Sequence, residues 1–391
     1  MKVFSLDAVK ARIQIGQPLL FAVRSADRML LLAAGQVIHN DSMLEELFER
    51  GAVVEAEELR ALYGPDDPLI APPPEPEFTA ASMPAARLPE LWKNCMSCVS
   101  DALAFDCPDR RGSLALAARE LLRLLDRADA VAMSQVMRRF VAEDAHYGIT
   151  HATNAAIAAV VTARRLGWSA PEQNRALSAA LTMNLSVAEL QGQLAHQVSP
   201  LTTRQRRAID EHPMKSAEML AESGIRDNEW LDAVREHHEK PDGAGYPLGL
   251  TQLGELGQLL RYADIYTALM SRRGNRPAMT PRDAGREIYE MTSGSTLCQT
   301  LIKVFGIFPP GSYVRLASGE LGVVTGNGDK AYHPRVAALT TSDGQARRAM
   351  VIRDCADSRH AIVQLLSEAA MPMRIGADTL AVLIDAAAAT H

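Results

Sequence analysis

The stretch HHEKPDGAGYP, His237 to Pro247, sets two adjacent histidines at the end of a helical run and immediately before a turn. Upstream, Asp227 is placed to cap a helix whose apolar face carries Trp230, Leu231 and Val234, and His238 falls on that face at helical spacing. An imidazole there points inward. Gly243 and Gly245 let the backbone turn sharply, and Pro247 keeps the helix from resuming. The spacing predicts a turn that holds both imidazoles in a fixed place.

Working outward, three more residues of ligand type fall where they are costly unless paired. His151 opens the alanine-rich run HATNAAIAAVV, with Ala155 and Ala158 at helical spacing from it. Asp264 shares a stripe with Leu256, Leu260 and Ala268, so its carboxylate faces the core, where it needs a metal, a cation or several donors. His212 precedes Pro213, a natural first helical residue, and is expected at a helix start. Taken singly, each histidine is more readily a satisfied structural residue than a ligand.

At 391 residues and 47% hydrophobic content, the chain buries a sizeable core and divides into two or more domains. No run of about 18 apolar residues predicts a membrane helix. Asp7, Lys10 and Arg12 interrupt the start and argue against a signal peptide, so a cytoplasmic location is expected. With a net charge of −6 and Lys and Arg dispersed, no basic stripe points to a nucleic-acid polymer. Five cysteines make no disulfide framework, and the lone CxxC of Cys95 and Cys98 reads as an i,i+3 pair on a helix, with a redox pair as the alternative.

The expected fold is mainly α. Residues 1–63 form a small α/β accessory module, with strands at Arg28–Leu32, Val37–Ile38 and Val53–Val54 and a helix capped around Asn40, Asp41 and Ser42, the last in capping-box spacing with Glu45. Residues 64–87 are a proline-rich linker, and 88–302 are helical and contain all the histidines above. Residues 303–355 carry short strands at Tyr313–Leu316, Leu321–Val324, Val336–Leu339 and Met350–Ile352, an antiparallel sheet or small barrel-like segment. A closing helix is expected over 356–391, from about Ser358 to Ala389.

HHE, DGAGYP, the following LGQLLRYADIYTALMSRR and the earlier LTTRQRRAIDEHP together resemble the signature of the HD-GYP family, in the HD phosphohydrolase superfamily, over roughly His146 to Met291. The motif Gly243, Gly245, Tyr246 and Pro247 carries most of that likeness. The segments before and after also resemble modules that accompany such domains. The resemblance implies an HD-type helical bundle that hydrolyses cyclic di-GMP with a cluster of metal ions, which activate water and neutralise phosphate. It implies that His151, His212, His237, His238 and Asp264 match ligand positions.

The defining His-Asp pair is replaced by Met183 and Asn184, and the lysine that the resemblance places shortly after is Val187. Asn184 offers one neutral carbonyl oxygen and cannot bridge two cations, while the thioether of Met183 suits neither hard nor borderline divalent ions. His151 and Asp264 are left as a remnant, whereas His212, His237 and His238 are a respectable set for a single Zn, Fe, Ni or Mn ion. The cofactor expectation is therefore none or one transition metal. No catalytic residue is expected.

One reading is a degenerate HD-GYP protein in cyclic di-GMP signalling, without phosphodiesterase activity, that works as a nucleotide sensor or an interaction regulator. Arg272, Arg273 and Arg276 are then the groups for phosphates, and the GYP surface is available to diguanylate cyclase or other signalling proteins. A second is an active phosphodiesterase with substitute ligands drawn from Glu143, Asp144 and His146. A third is a purely structural domain.

Overall fold

In the computed structural model, the residues described are 3–64, 83–137, 147–274, 276–328, 330, 332–373 and 375–388. Most of the proline-rich segment lies outside them, as do Glu143, Asp144 and His146. The chain divides into two compact units, Met1–Thr79 and Ala80–His391.

The first unit has strands β1 (Val3–Ser5), β2 (Val23–Arg24), β3 (Leu30–Leu32) and β4 (Val53–Glu55), with helices α1 (Asp41–Glu49) and α2 (Ala56–Tyr63). The strands form an antiparallel sheet in the order β1-β4-β2-β3 over a core of Leu6, Val9, Phe21, Val23, Ile38, Val54 and Leu59. Two expectations change here. Val37–Ile38 makes only a bridge from Val37 to Pro18, because the sheet recruits Val3–Ser5 and Val23–Arg24 instead. The α1 cap is Asn40, whose side chain accepts from the Met43 amide, so Ser42 lies inside the helix.

The second unit is built of helices α3 (Leu88–Leu103), α4 (Arg110–Met137), α5 (Tyr147–Leu166), α6 (Ala170–Thr182), α7 (Ala188–His196), α8 (Thr203–Glu222), α9 (Asn228–Glu236), α10 (Glu255–Met270), α11 (Pro281–Met291) and α12 (Thr296–Phe305). The alanine-rich run is the central element: α5 is buried along nearly all its length and packs against α3, α4, α6, α7, α10 and α12. Small side chains make that crowding feasible. At Gly148 any Cβ would stand 2.3 Å from the Ala188 carbonyl oxygen at the start of α7. Both expected cysteines lie on α3, where burial pushes the Cys95 thiol up to about 12, which leaves it inert as a nucleophile at neutral pH.

Strands β5 (Tyr313–Leu316), β6 (Leu321–Gly326), β7 (Arg335–Thr340) and β8 (Ala346–Asp354) fall where alternation and the intervening Gly-containing turns place them. A fifth strand, β9 (Ile362–Leu366), joins them in the order β8-β7-β6-β5-β9, all antiparallel. It corrects the expected closing helix. Ile362 and Val363 favour extended backbone, and β5 offers them an open edge, so helix is confined to α13 (Ala377–Ala388). That helix packs on α3, α4 and β6 and is pinned by Arg127, which donates to both carboxylate oxygens of Asp385 at 2.5 and 2.8 Å and to the Met83 carbonyl at 2.7 Å.

Glu320, in the turn between β5 and β6, is almost fully buried. Its carboxylate accepts from Arg353 at 2.7 and 3.0 Å, from Arg347 at 2.5 Å and from the Ser318 hydroxyl at 2.8 Å, tying β8 to the β5–β6 hairpin. The Arg353 bond, followed by Ser318 and Arg347, holds the carboxyl down at about 2 against an ordinary 4.5. A carboxyl depressed on folding contributes stability that is present above pH 4.5 and lost as pH falls toward 2, because the unfolded chain takes up the proton first. Urea unfolding between pH 6 and 2.5 should show that loss. Glu320→Gln should remove this part of the slope and cost about 3 kcal/mol at neutral pH, since two guanidinium groups lose their counter-charge.

Candidate functional site

The histidine turn is positioned from both sides. Asp227 caps α9, its carboxylate accepting from the Trp230 amide, while the indole N–H donates to Thr182 at the end of α6. At the other end of α9, Glu236 accepts from the amide of Gly254, the N-cap of α10. The end of one helix thereby fixes the start of the next, and with it the place of Asp264.

Between them, residues 240–253 make no regular structure, so their amides need other partners. The fully buried Glu239 supplies them: its carboxylate accepts from Leu248, Gly249 and Leu250 at 2.6, 3.1 and 3.1 Å. Gly245 lies flat against the Glu239 backbone, where a Cβ would come within 2.4 Å. Gly243 adopts a φ of +73°, the left-handed region that favours glycine. Tyr246 stacks on His238 with ring centroids 4.7 Å apart, and Pro247 ends the motif. Sequence reasoning assigned no role to Glu239, because its partners lie nine to eleven residues along a loop that has no periodicity.

His212 differs from expectation. It lies in the middle of α8, which begins at Thr203 behind a Thr202–Gln205 capping box, and Pro213 is inside that helix. The proline removes one helical hydrogen bond, leaving the Ile209 carbonyl without its usual partner four residues on. His212 Nδ1 meets that carbonyl at 2.5 Å. His237, at the C-cap of α9, uses an orphan carbonyl of a helix end in the same way, its Nδ1 lying 2.7 Å from the Val234 oxygen.

A carbonyl only accepts, so both rings carry their proton on Nδ1. Both Nε2 atoms are therefore bare, and they face one another at 3.1 Å. His238 completes the group: one ligand atom from each ring falls within 4.8 Å of the other two. Burial first, and then the neighbouring imidazoles, push His212 and His237 down to about 3 and His238 down to about 4. All three are neutral at physiological pH, the form that ligates. Ring N–H groups anchored on carbonyls and lone pairs converging on a point are the usual setting of imidazole ligands, so the three fit one transition ion.

The second group is arranged the opposite way. His151 meets Asp264 Oδ1 through Nε2 at 2.8 Å, while its Nδ1 is buried without a hydrogen-bond partner among the described residues. Asn184 donates from Nδ2 to the same oxygen at 3.3 Å. Burial alone would raise the Asp264 carboxyl, but the His151 hydrogen bond, with the neighbouring imidazoles, holds it far below the carboxylate range. Oδ1 thus accepts from two N–H donors, and as arranged that oxygen is not open to a second ion.

A cavity of about 290 Å³ is lined by His212 and His238 of the first group and by His151, Asn184 and Asp264 of the second, together with Val187 and Gln191, while His237 lies buried behind it. Met183 is fully buried and is not among the described residues lining it. Of the three arginines, Arg273 and Arg276 line the cavity and Arg272 does not. Gly274 brings that loop against the end of α7, its amide donating to Ala195 at 2.7 Å, with no room for a Cβ beside the His196 carbonyl. Arg273 donates to the Tyr147 hydroxyl at 2.9 Å, and Tyr147 stacks parallel to His151 at 5.5 Å. Tyr147 was legible only as the residue one helical turn before His151. The arrangement can hold one cation at one end and an anion at the other.

Among the described residues, no helix is long and apolar enough to cross a membrane. A family model described as HD domain matches residues 135–295. Over 182 residues, 46% of this chain and 44% of the relative, the chain is 28% identical to a cyclic di-GMP phosphodiesterase of Pseudomonas aeruginosa. Over 115 residues, 27% of this chain and 23% of the relative, it is 34% identical to a cyclic di-GMP phosphodiesterase of Vibrio cholerae. The alignments thus span less than half the length of either curated relative. A solved HDG"Y"P protein from Bdellovibrio bacteriovorus superposes over 78% of this chain and 99% of its own, at a TM-score of 0.46 and 15% identity, a likeness too slight to bear on the site. The matching family model, the two relatives and the HHE–DGAGYP turn agree, and the domain at residues 135–295 is an HD domain of the HD-GYP kind, within the HD phosphohydrolase superfamily.

Proposed function

We propose that this HD-GYP domain serves cyclic di-GMP signalling as a nucleotide sensor or interaction regulator and not as a phosphodiesterase. The observation that carries the reading is Asn184, whose amide donates to Asp264 where the resemblance implies a carboxylate that bridges metals. A neutral amide neither bridges two cations nor offsets their charge. Val187 adds to it, presenting an apolar wall to the cavity where the resemblance implies a lysine. A single ion held by His212, His237 and His238 would supply Lewis acidity, and its usual role in the chemistry is shared with a second ion that His151 and Asp264 do not accommodate.

Nucleotide binding is supported by the cationic end of the cavity. Arg273 and Arg276 lie beside one another, and guanidinium groups match phosphate oxygens in two-point contacts. The cavity volume is at the lower end of what small-molecule sites use. The GYP turn exposes Leu248 beside Pro247, and the resemblance implies that this surface meets a partner protein such as a diguanylate cyclase.

Turnover tests this reading. Full-length protein purified without chelator should carry at most about one equivalent of transition metal and leave cyclic di-GMP intact in the presence of manganese or ferrous iron. Hydrolysis that disappears in His237→Ala would overturn it. Calorimetry should show cyclic di-GMP binding, and Arg273→Ala should weaken it by about tenfold or more, the loss of one charged hydrogen-bonding group. Equal affinity in the variant would remove the arginine pair from the nucleotide site.

A further inference from the structure

We infer that Pro213 is a positioning residue for the three-histidine centre, acting by the hydrogen bond it cannot make. The inference rests on the reading of His212, His237 and His238 as the set that fits an ion. In a continuous helix the Ile209 carbonyl accepts from the amide of residue 213, and proline has none. The carbonyl is thereby left for His212 Nδ1 at 2.5 Å, inside an otherwise regular helix from Thr203 to Glu222.

That bond has two effects on the ring. It fixes the plane of the imidazole, and it places the proton on Nδ1, leaving Nε2 bare toward His237. An unconstrained neutral imidazole favours the opposite tautomer, with the proton on Nε2, which would aim an N–H at the point where the three rings converge. His237 needs no such device, because it sits at the end of α9, where carbonyls are free in any case. His212 sits in mid-helix, where a carbonyl ordinarily already accepts a backbone amide. The proline turns a structural interruption into an acceptor at the one place where His212 reaches it.

Pro213→Ala restores an amide at position 213, and that amide competes for the Ile209 carbonyl. Because alanine suits a helix interior far better than proline, the thermal midpoint should stay the same or rise. A merely structural proline would give only that change. The tautomer is read by long-range proton–nitrogen correlation on 15N-labelled, zinc-free, full-length protein, with the His212 signals assigned by their loss in His212→Gln.

Wild type should show His212 protonated on Nδ1. The variant should shift toward the Nε2-protonated form and bind zinc about 10- to 100-fold more weakly, the range for loss of a group that orients a ligand histidine. A variant that keeps the wild-type tautomer and zinc affinity overturns the inference. So does wild type found in the Nε2-protonated form, a result independent of whether the variant folds or whether wild type takes up zinc.

Discussion

Two bare imidazole nitrogens, one each from His212 and His237, face each other at 3.1 Å, and much of the domain serves to hold them there. Lone pairs at that distance repel unless a cation or a proton lies between them. Each ring is prevented from turning its N–H inward by a backbone carbonyl that the fold has left without a helical partner, at Ile209 and at Val234. The surrounding structure then lowers the proton affinity of all three imidazoles by burying them. What remains attractive at that point is a metal ion of borderline softness.

On the wall of the same cavity the same residue types are satisfied differently. Asp264 takes its compensation from His151 and Asn184, so a carboxylate that would otherwise call for a cation is already paired by protein groups. The contrast lies in which ring nitrogen carries the proton. At His212 and His237 the outer nitrogen is spent on backbone, while at His151 the inner one is spent on a carboxylate. One group turns its free nitrogens toward one another, and the other is closed upon itself.

Much of this was legible in the sequence where local rules decide. Asp227 as a cap, the inward face of Asp264, and the strands at Tyr313–Leu316 and Leu321–Val324 follow from spacing and turn chemistry alone. Expectation failed where a distant partner outweighed a local preference. Pro213 reads as a helix start, yet the Thr202 capping box begins the helix earlier and a histidine side chain takes up the carbonyl that the proline frees. Ile362–Leu366 lies in a stretch that reads as helix, yet the open edge of β5 claims it. Glu239 and Tyr147 were missed because what they bond is fixed only after the loop and α10 are in place.

The Glu239 carboxylate does for the segment at Leu248–Leu250 what a neighbouring strand does for an edge, supplying acceptors to consecutive amides from within. The shape of the turn is consequently set by a few residues, Glu239, Gly243 and Gly245, with Asp242 accepting from the Ala244 amide at 2.9 Å, while the side chains of Ala244 and Leu248 are exposed and enter none of these hydrogen bonds. Conformation and surface chemistry are thus separable in this loop. The exposed side chains of Ala244 and Leu248 can change without disturbing the histidines beneath.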